Sequence, residues 1–343
     1  MSSQPTTAPV SFSQQLGTAW NAFWFLPADG RPLAVIRILT AVLGLVLWSS
    51  YAADLQRWFG PQGIVSPDVM ATWRKASGVS LFDAATTAAS LWALYGLGFA
   101  AFAALLVGLG TRIAAAAAAV LWVSILHRGP MLISPADDVL TILLWCLVIG
   151  RSGDHLSLDA WLRRARGGAE AVPSVSNRLA LSLMAVHASG ITVAAILAQL
   201  KGDIWWDGTA AWWLLSGREQ APVSLMAAMA ASDYLTNLLT HAITLFEIAF
   251  AAGVWVVGLR RSIVALGIVA WPLIGWLAGD LAWGCGMATL GLAWAPETVR
   301  RWSGSAGGKS REQETGRVLG PQSGLGKAEV PVAPEDPSRL RSH

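Results

Sequence analysis

The sequence is poor in charge. Of its 343 residues only 13% are Asp, Glu, Lys or Arg, while 54% are hydrophobic; a soluble domain carries roughly 25% charged residues. A chain so composed cannot cover a water-facing surface, which excludes an ordinary soluble domain and leaves the lipid bilayer as its solvent. Cysteine is also scarce. Cys146 and Cys285 both lie in apolar segments with no CxxC or His-rich spacing nearby, so neither zinc nor thiol redox work is indicated and both read as small buried hydrophobes. Phosphate loops, a Ser/His/Asp order and metal-ligand signatures are missing too, and with them any support for phosphoryl transfer, metallohydrolysis or a metal site. The opening MSSQPTTAPVSFSQQ has neither a basic start nor a small-residue cleavage site, so the first apolar span is expected to stay as an anchor. A net charge of +3 gives no case for nucleic acid, because basic residues in such a chain mark the cytoplasmic side of a membrane.

What the chain does have is long apolar runs. A span needs about 20 mostly apolar residues to cross about 30 Å of hydrocarbon, and about eight segments qualify: 33–52, 90–110, 113–126, 132–150, 178–200, 238–259, 262–279 and 281–296. The expected fold is all-α, a polytopic transmembrane helical bundle. Arg151, Arg163, Arg164, Arg166 and Arg178 crowd the segment 151–178, and Arg260 and Arg261 form a second basic site. Placing both on the cytoplasmic side puts both termini inside and puts the loops 53–89, 127–131, 201–237 and the one around Asp280 outside. The tail 303–343 is polar and rich in Gly, Pro and Ser, so it is expected to be a disordered cytoplasmic segment. Residues 1–19 are expected to be disordered as well, leaving 20–302 as the transmembrane domain.

Nineteen tryptophans stand out. Trp20, Trp24, Trp48, Trp58, Trp161, Trp205, Trp206 and Trp302 sit near span ends, where an indole anchors at the headgroup boundary. The doublets Trp205–Trp206 and Trp212–Trp213 instead crowd one outer loop.

Ionisable residues within a bilayer are costly and usually functional. Glu247 stands about 13 Å into the sixth segment at 1.5 Å per residue, with Thr240 and Thr244 on the same helical stripe. It reads as a proton-handling carboxylate or as one half of a structural ion pair with Arg37 or His187. Asp137 and Asp138 follow Pro130 and Pro135 in HRGPMLISPADD, where they either cap a helix or join His127 and Arg128 in an outer polar site. His187 lies beside Gly190, Ala194 and Ala198, a small-residue face suited to close packing. Arg37, near the inner end of the first segment, can snorkel. At the outer surface Gln199, Lys201, Asp203 and Asp207 meet the Trp pairs and Gly208, an arrangement that could hold a flat hydrophobic ligand or form an interfacial belt.

LAVIRILTAVLGLVL, RWFGPQGIVSP, GLGTRIAAA, HRGPMLISPADDVL, GDHLSLDAWLRR, KGDIWWDGTAAW and LFEIAF form an ordered set covering residues from about Trp20 to Glu297. In wording, order and spacing the set resembles the bacterial HTTM domain, which is related to vitamin K-dependent gamma-carboxylase. The resemblance implies a bacterial cytoplasmic membrane, a helical bundle, and signature loops acting together on its outer face. In the carboxylase a Lys at a span end helps deprotonate reduced vitamin K. The corresponding position here reads Gln199, and Trp271 lies where many relatives carry a His in the seventh span. Gln cannot take a proton, and Lys201 is two residues away.

That departure makes the chain look more like sporulation-delaying protein B, a similar multi-pass protein needed, together with a small partner, to mature a secreted toxin peptide. The leading expectation is a factor assisting maturation or export of a secreted peptide or protein. Trp205, Trp206, Asp207, Gly208, Asp138, His127, Arg128 and Gln199 would then meet a ligand or a small partner protein. The alternative is a carboxylase-like enzyme using an isoprenoid quinone, with Glu247, Asp137 and Lys201 handling protons. A transporter ranks third, since inverted repeats are not evident.

Overall fold

The computed structural model describes residues 11–64, 72, 78–218 and 221–294. The tail 303–343 and Trp302 lie outside the described residues. Among the described residues nine longer helices carry the fold: α1 (Phe12–Phe25), α2 (Arg31–Ser50), α3 (Ala88–Val107), α4 (Thr111–Arg128), α5 (Pro135–Ile149), α6 (Val175–Gln199), α7 (Asp233–Gly253), α8 (Val257–Leu277) and α9 (Leu281–Gly291). Among the described residues there is no strand, only an isolated bridge between Ala28 and Ser174. Each of the eight apolar segments is helical over most of its length. Five of these helices, α2, α3, α6, α7 and α8, are long and apolar enough to cross a membrane. α1 begins at Phe12, inside the segment expected to be disordered, because Ser11 and Gln14 form a reciprocal capping box that satisfies two of its orphan N-terminal donors.

Helix limits follow local chemistry. Thr87 and Ser90 box the start of α3, and Gly108 ends it in the left-handed conformation. Pro135 at the first turn and the Ser134–Asp137 box start α5. α2, α5, α6 and α9 pack on one another at the centre, with α3 and α4 on one flank, α7 and α8 on the other, and α1 against α6. The α8–α9 hairpin is close enough that a Cβ at Gly284 would lie 2.3 Å from the Trp271 carbonyl oxygen. A larger residue there has no room.

The connections gather at two ends. At one, Arg112 donates to the Ile149 and Gly150 carbonyls, Arg178 to that of Leu26, and Asn177 to that of Ala28. Seven arginines face four carboxylates across 26–31, 108–112 and 149–178; this is the basic end. The opposite end holds 51–64, 78–87, 128–137 and 200–237.

Three sequence expectations are corrected by packing. Trp48 is not an interfacial anchor: it is fully buried, stacks on Tyr95 with ring centroids 5.4 Å apart, and exchanges hydrogen bonds with it, Nε1–H to the Tyr95 carbonyl and Tyr95 O–H to the Trp48 carbonyl. Arg37 reaches the 152–156 loop but does not carry its charge into water. Its side chain is enclosed and donates to the Ser152 and Leu156 carbonyls. The Gly190, Ala194 and Ala198 face of α6 is exposed rather than packed, because α6 turns Ala185, Ala188, Ser189 and Thr192 inward.

Candidate functional site

Glu247 sits inside the bundle, 2% exposed. Neither Arg37 nor His187 reaches it: Arg37 is held by backbone carbonyls, and His187 is exposed with Nδ1 2.7 Å from the Leu183 carbonyl oxygen. Its partner is Gln199, whose Nε2–H donates to Glu247 Oε2 at 2.6 Å. The Gln199 carbonyl oxygen accepts from Thr244 Oγ1 at 3.0 Å. One turn earlier, Thr240 Oγ1 accepts from the Ala211 N–H at 3.0 Å and lies 2.9 Å from the Gly208 and Thr236 carbonyl oxygens. The predicted Thr240–Thr244–Glu247 stripe is real, and it ties the last turn of α6 and the loop 203–211 to α7.

That fastening shapes the loop that follows α6. Gly208 takes φ +72°, a conformation that favours glycine, and a Cβ there would displace the side-chain amide of Asn237. Beside it opens a cleft of about 500 Å³ lined by Asp207, Thr209, Trp212, Trp213, Met229, Asp233, Thr236 and Asn237. Neither Asp207 nor Asp233 has an ion-pair partner among the described residues. Two indoles beside two carboxylates without ion-pair partners can attract a cation together, through ring faces and through charge. Of the expected ligand residues, Asp207 lines this cleft and Gly208 shapes it. Trp206 is exposed and donates to the Leu200 carbonyl, Trp205 packs on the core, and Lys201 is exposed at the end of α6.

Asp137 occupies a separate cavity of about 310 Å³ with Ser50, Tyr51, Asp54, Trp58, Leu132 and Ser134. The residue is 3% exposed, and its carboxylate accepts from the Ser134 N–H at 2.6 Å. Asp138 points outward. Arg128 is buried against Asp83 at 3.2 Å and donates to the Phe59 carbonyl, and His127 Nδ1 lies 3.0 Å from the Val79 carbonyl oxygen. These two residues fasten 59 and 79–83 to α4 and face neither cavity.

Comparison with family models, curated proteins and solved structures gives no match. The family resemblance therefore stands on the quoted residues alone.

Sequence reasoning missed Asp233, Asn237, Tyr51 and Trp58 as cavity residues. Asp233 carried one signal, its place directly after the helix-capping Ser232. The other three are brought to their cavities only by tertiary packing.

At the basic end, His155 Nε2 lies 3.4 Å from Asp29 Oδ1. Burial holds its pKa below the ordinary value of 6.5, with the nearby Arg31 and Arg163 acting in the same direction and Asp29 and Asp154 opposing. A histidine so depressed favours folding fully above the unfolded pKa and loses that contribution as pH falls through the folded value, since the unfolded chain binds the proton first. Stability is expected to decline as pH drops below about 6.5, and His155→Gln is expected to flatten the decline. Thermal unfolding in detergent across this range is the check; an identical pH profile in the variant would refute it.

Proposed function

We propose that the chain is a bacterial cytoplasmic-membrane protein of about eight spans with both termini inside, and that it assists maturation or export of a secreted peptide or protein at the outer face. The observation that carries this reading is the cleft of Asp207, Trp212, Trp213 and Asp233, a receptor for a basic side chain at the end of the bundle opposite the arginines. The basic end supports an inward orientation for 151–178, which turns the cleft outward, where a secreted client passes.

Glu247 supports a fastening role better than proton transfer. It lines none of the described cavities, and its partner is an amide. A quinone-dependent reaction is the second reading, favoured by the buried Asp137 beside Tyr51 and Trp58 in a cavity that could receive a ring with a hydroxyl group.

Gentle purification from native membranes followed by mass spectrometry of everything retained separates the two. The client reading expects a small secreted protein or peptide, lost in an Asp207→Asn/Asp233→Asn variant. Recovery of an isoprenoid quinone with no peptide would replace it with the enzymatic one.

A further inference from the structure

Arg37 reaches out of α2 and donates to the carbonyls of Ser152 at 3.3 Å and Leu156 at 2.5 Å. Leu156 adopts φ +48°, and no other non-glycine residue among the described ones has a positive φ. A left-handed leucine is strained, yet its side chain makes no use of the interior: it is 61% exposed. The backbone is clamped and the side chain is held outward.

The short helix Leu158–Ala165 follows, capped by Ser157 Oγ, which accepts from the Ala160 N–H. Its inward side is committed. Ala160 is buried, Asp159 accepts from the Gly110 and Thr111 N–H groups, and Arg163 is paired with Asp154. Its outward side exposes Leu158 and Trp161, the latter 58% exposed. Arg164 lies one turn after Trp161, and Arg166 follows the helix. Both are exposed and without an ion-pair partner among the described residues.

We propose that Leu156, Leu158 and Trp161 form an interfacial anchor, with Arg164 and Arg166 binding the headgroup phosphate of an anionic phospholipid in the adjoining leaflet. An apolar ridge flanked by basic residues on a short amphipathic helix is the arrangement that lies in the headgroup plane. The occupant is a lipid rather than soluble phosphate because the ridge needs an acyl boundary to cover it. Its sign is set by the arginine excess of this end. The inference is independent of the client reading, which concerns the opposite end.

The test places the full chain in nanodiscs of equal parts phosphatidylcholine and phosphatidylglycerol and counts retained lipids by native mass spectrometry. Phosphatidylglycerol is expected in excess. Arg164→Gln and Arg166→Gln are each expected to lower that excess about five-fold, from roughly one basic-residue increment near an anionic surface. Trp161→Ala is expected to shorten retention of both lipids. The proposal falls if the double arginine variant keeps the excess, or if soluble glycerol phosphate is retained as well as the lipid. It falls too if Trp161→Ala changes only the oligomeric mass, which would make this face a contact between copies.

Discussion

Replacing Gln199 with leucine is expected to destabilise the folded chain by about 2–3 kcal/mol, the cost of leaving a buried carboxyl group without its donor. Glu247 is enclosed, and the 2.6 Å bond from Gln199 Nε2–H is its side-chain hydrogen bond to a neighbouring helix. The same substitution removes the acceptor of Thr244 Oγ1. Glu247→Gln keeps an acceptor facing Gln199 and is expected to cost no more than about 1 kcal/mol. The double variant Gln199→Leu/Glu247→Leu removes both partners together and is expected to recover part of the loss, giving a coupling of about 1–2 kcal/mol in the cycle. Denaturant unfolding of the purified protein in mixed micelles measures all three. Additive effects would mean that the two side chains do not act as a pair. Gln199→Lys bears on the family resemblance: an ammonium there would meet the Glu247 carboxylate directly, so the amide turns what would be a charge pair into a neutral-donor fastening.

The helices were legible because apolar runs of this length have few alternatives, and their ends were misplaced where a cap decided them. α7 starts at Asp233 rather than at 238 because Ser232 accepts from the Leu235 N–H, a polar first turn that hydropathy discards. The polar stripe on α7 was legible from helical spacing alone. Its partner was not, since Gln199 lies 48 positions away and only the packing of α6 on α7 brings them together. Arg37 shows the same limit more sharply: its carbonyl partners lie 115 and 119 positions along the chain, so nothing local distinguishes a clamped arginine from a snorkelling one. Trp48 was misread for a related reason. A tryptophan near a span end suits the headgroup region and the core equally well, and here the facing Tyr95 decides. The WWDGT element stood out in the sequence by its paired indoles and acids, but half of its cleft comes from the start of α7 and from Met229, which no local pattern joined to it.

Reversing both cleft charges, Asp207→Lys with Asp233→Lys, is expected to weaken capture of an oligolysine peptide about 100-fold. Each exposed carboxylate contributes roughly 0.5–1 kcal/mol to a bound cation, and reversal adds repulsion of similar size. The neutral pair Asp207→Asn/Asp233→Asn is therefore expected to lose about ten-fold. Trp213→Ala is expected to lose a further few-fold, because an indole face adds roughly 0.5–1 kcal/mol at an exposed site. Raising the salt from 0.05 M to about 0.5 M is expected to weaken the wild-type interaction steeply and the neutral pair little, since screening acts on the charges and not on the rings. Calorimetry in nanodiscs with oligolysine, and with oligoglutamate as the opposite-charge control, reads all of these. Equal affinity of the wild type for both peptides would leave the cleft without cation selectivity and remove the observation on which the client reading rests.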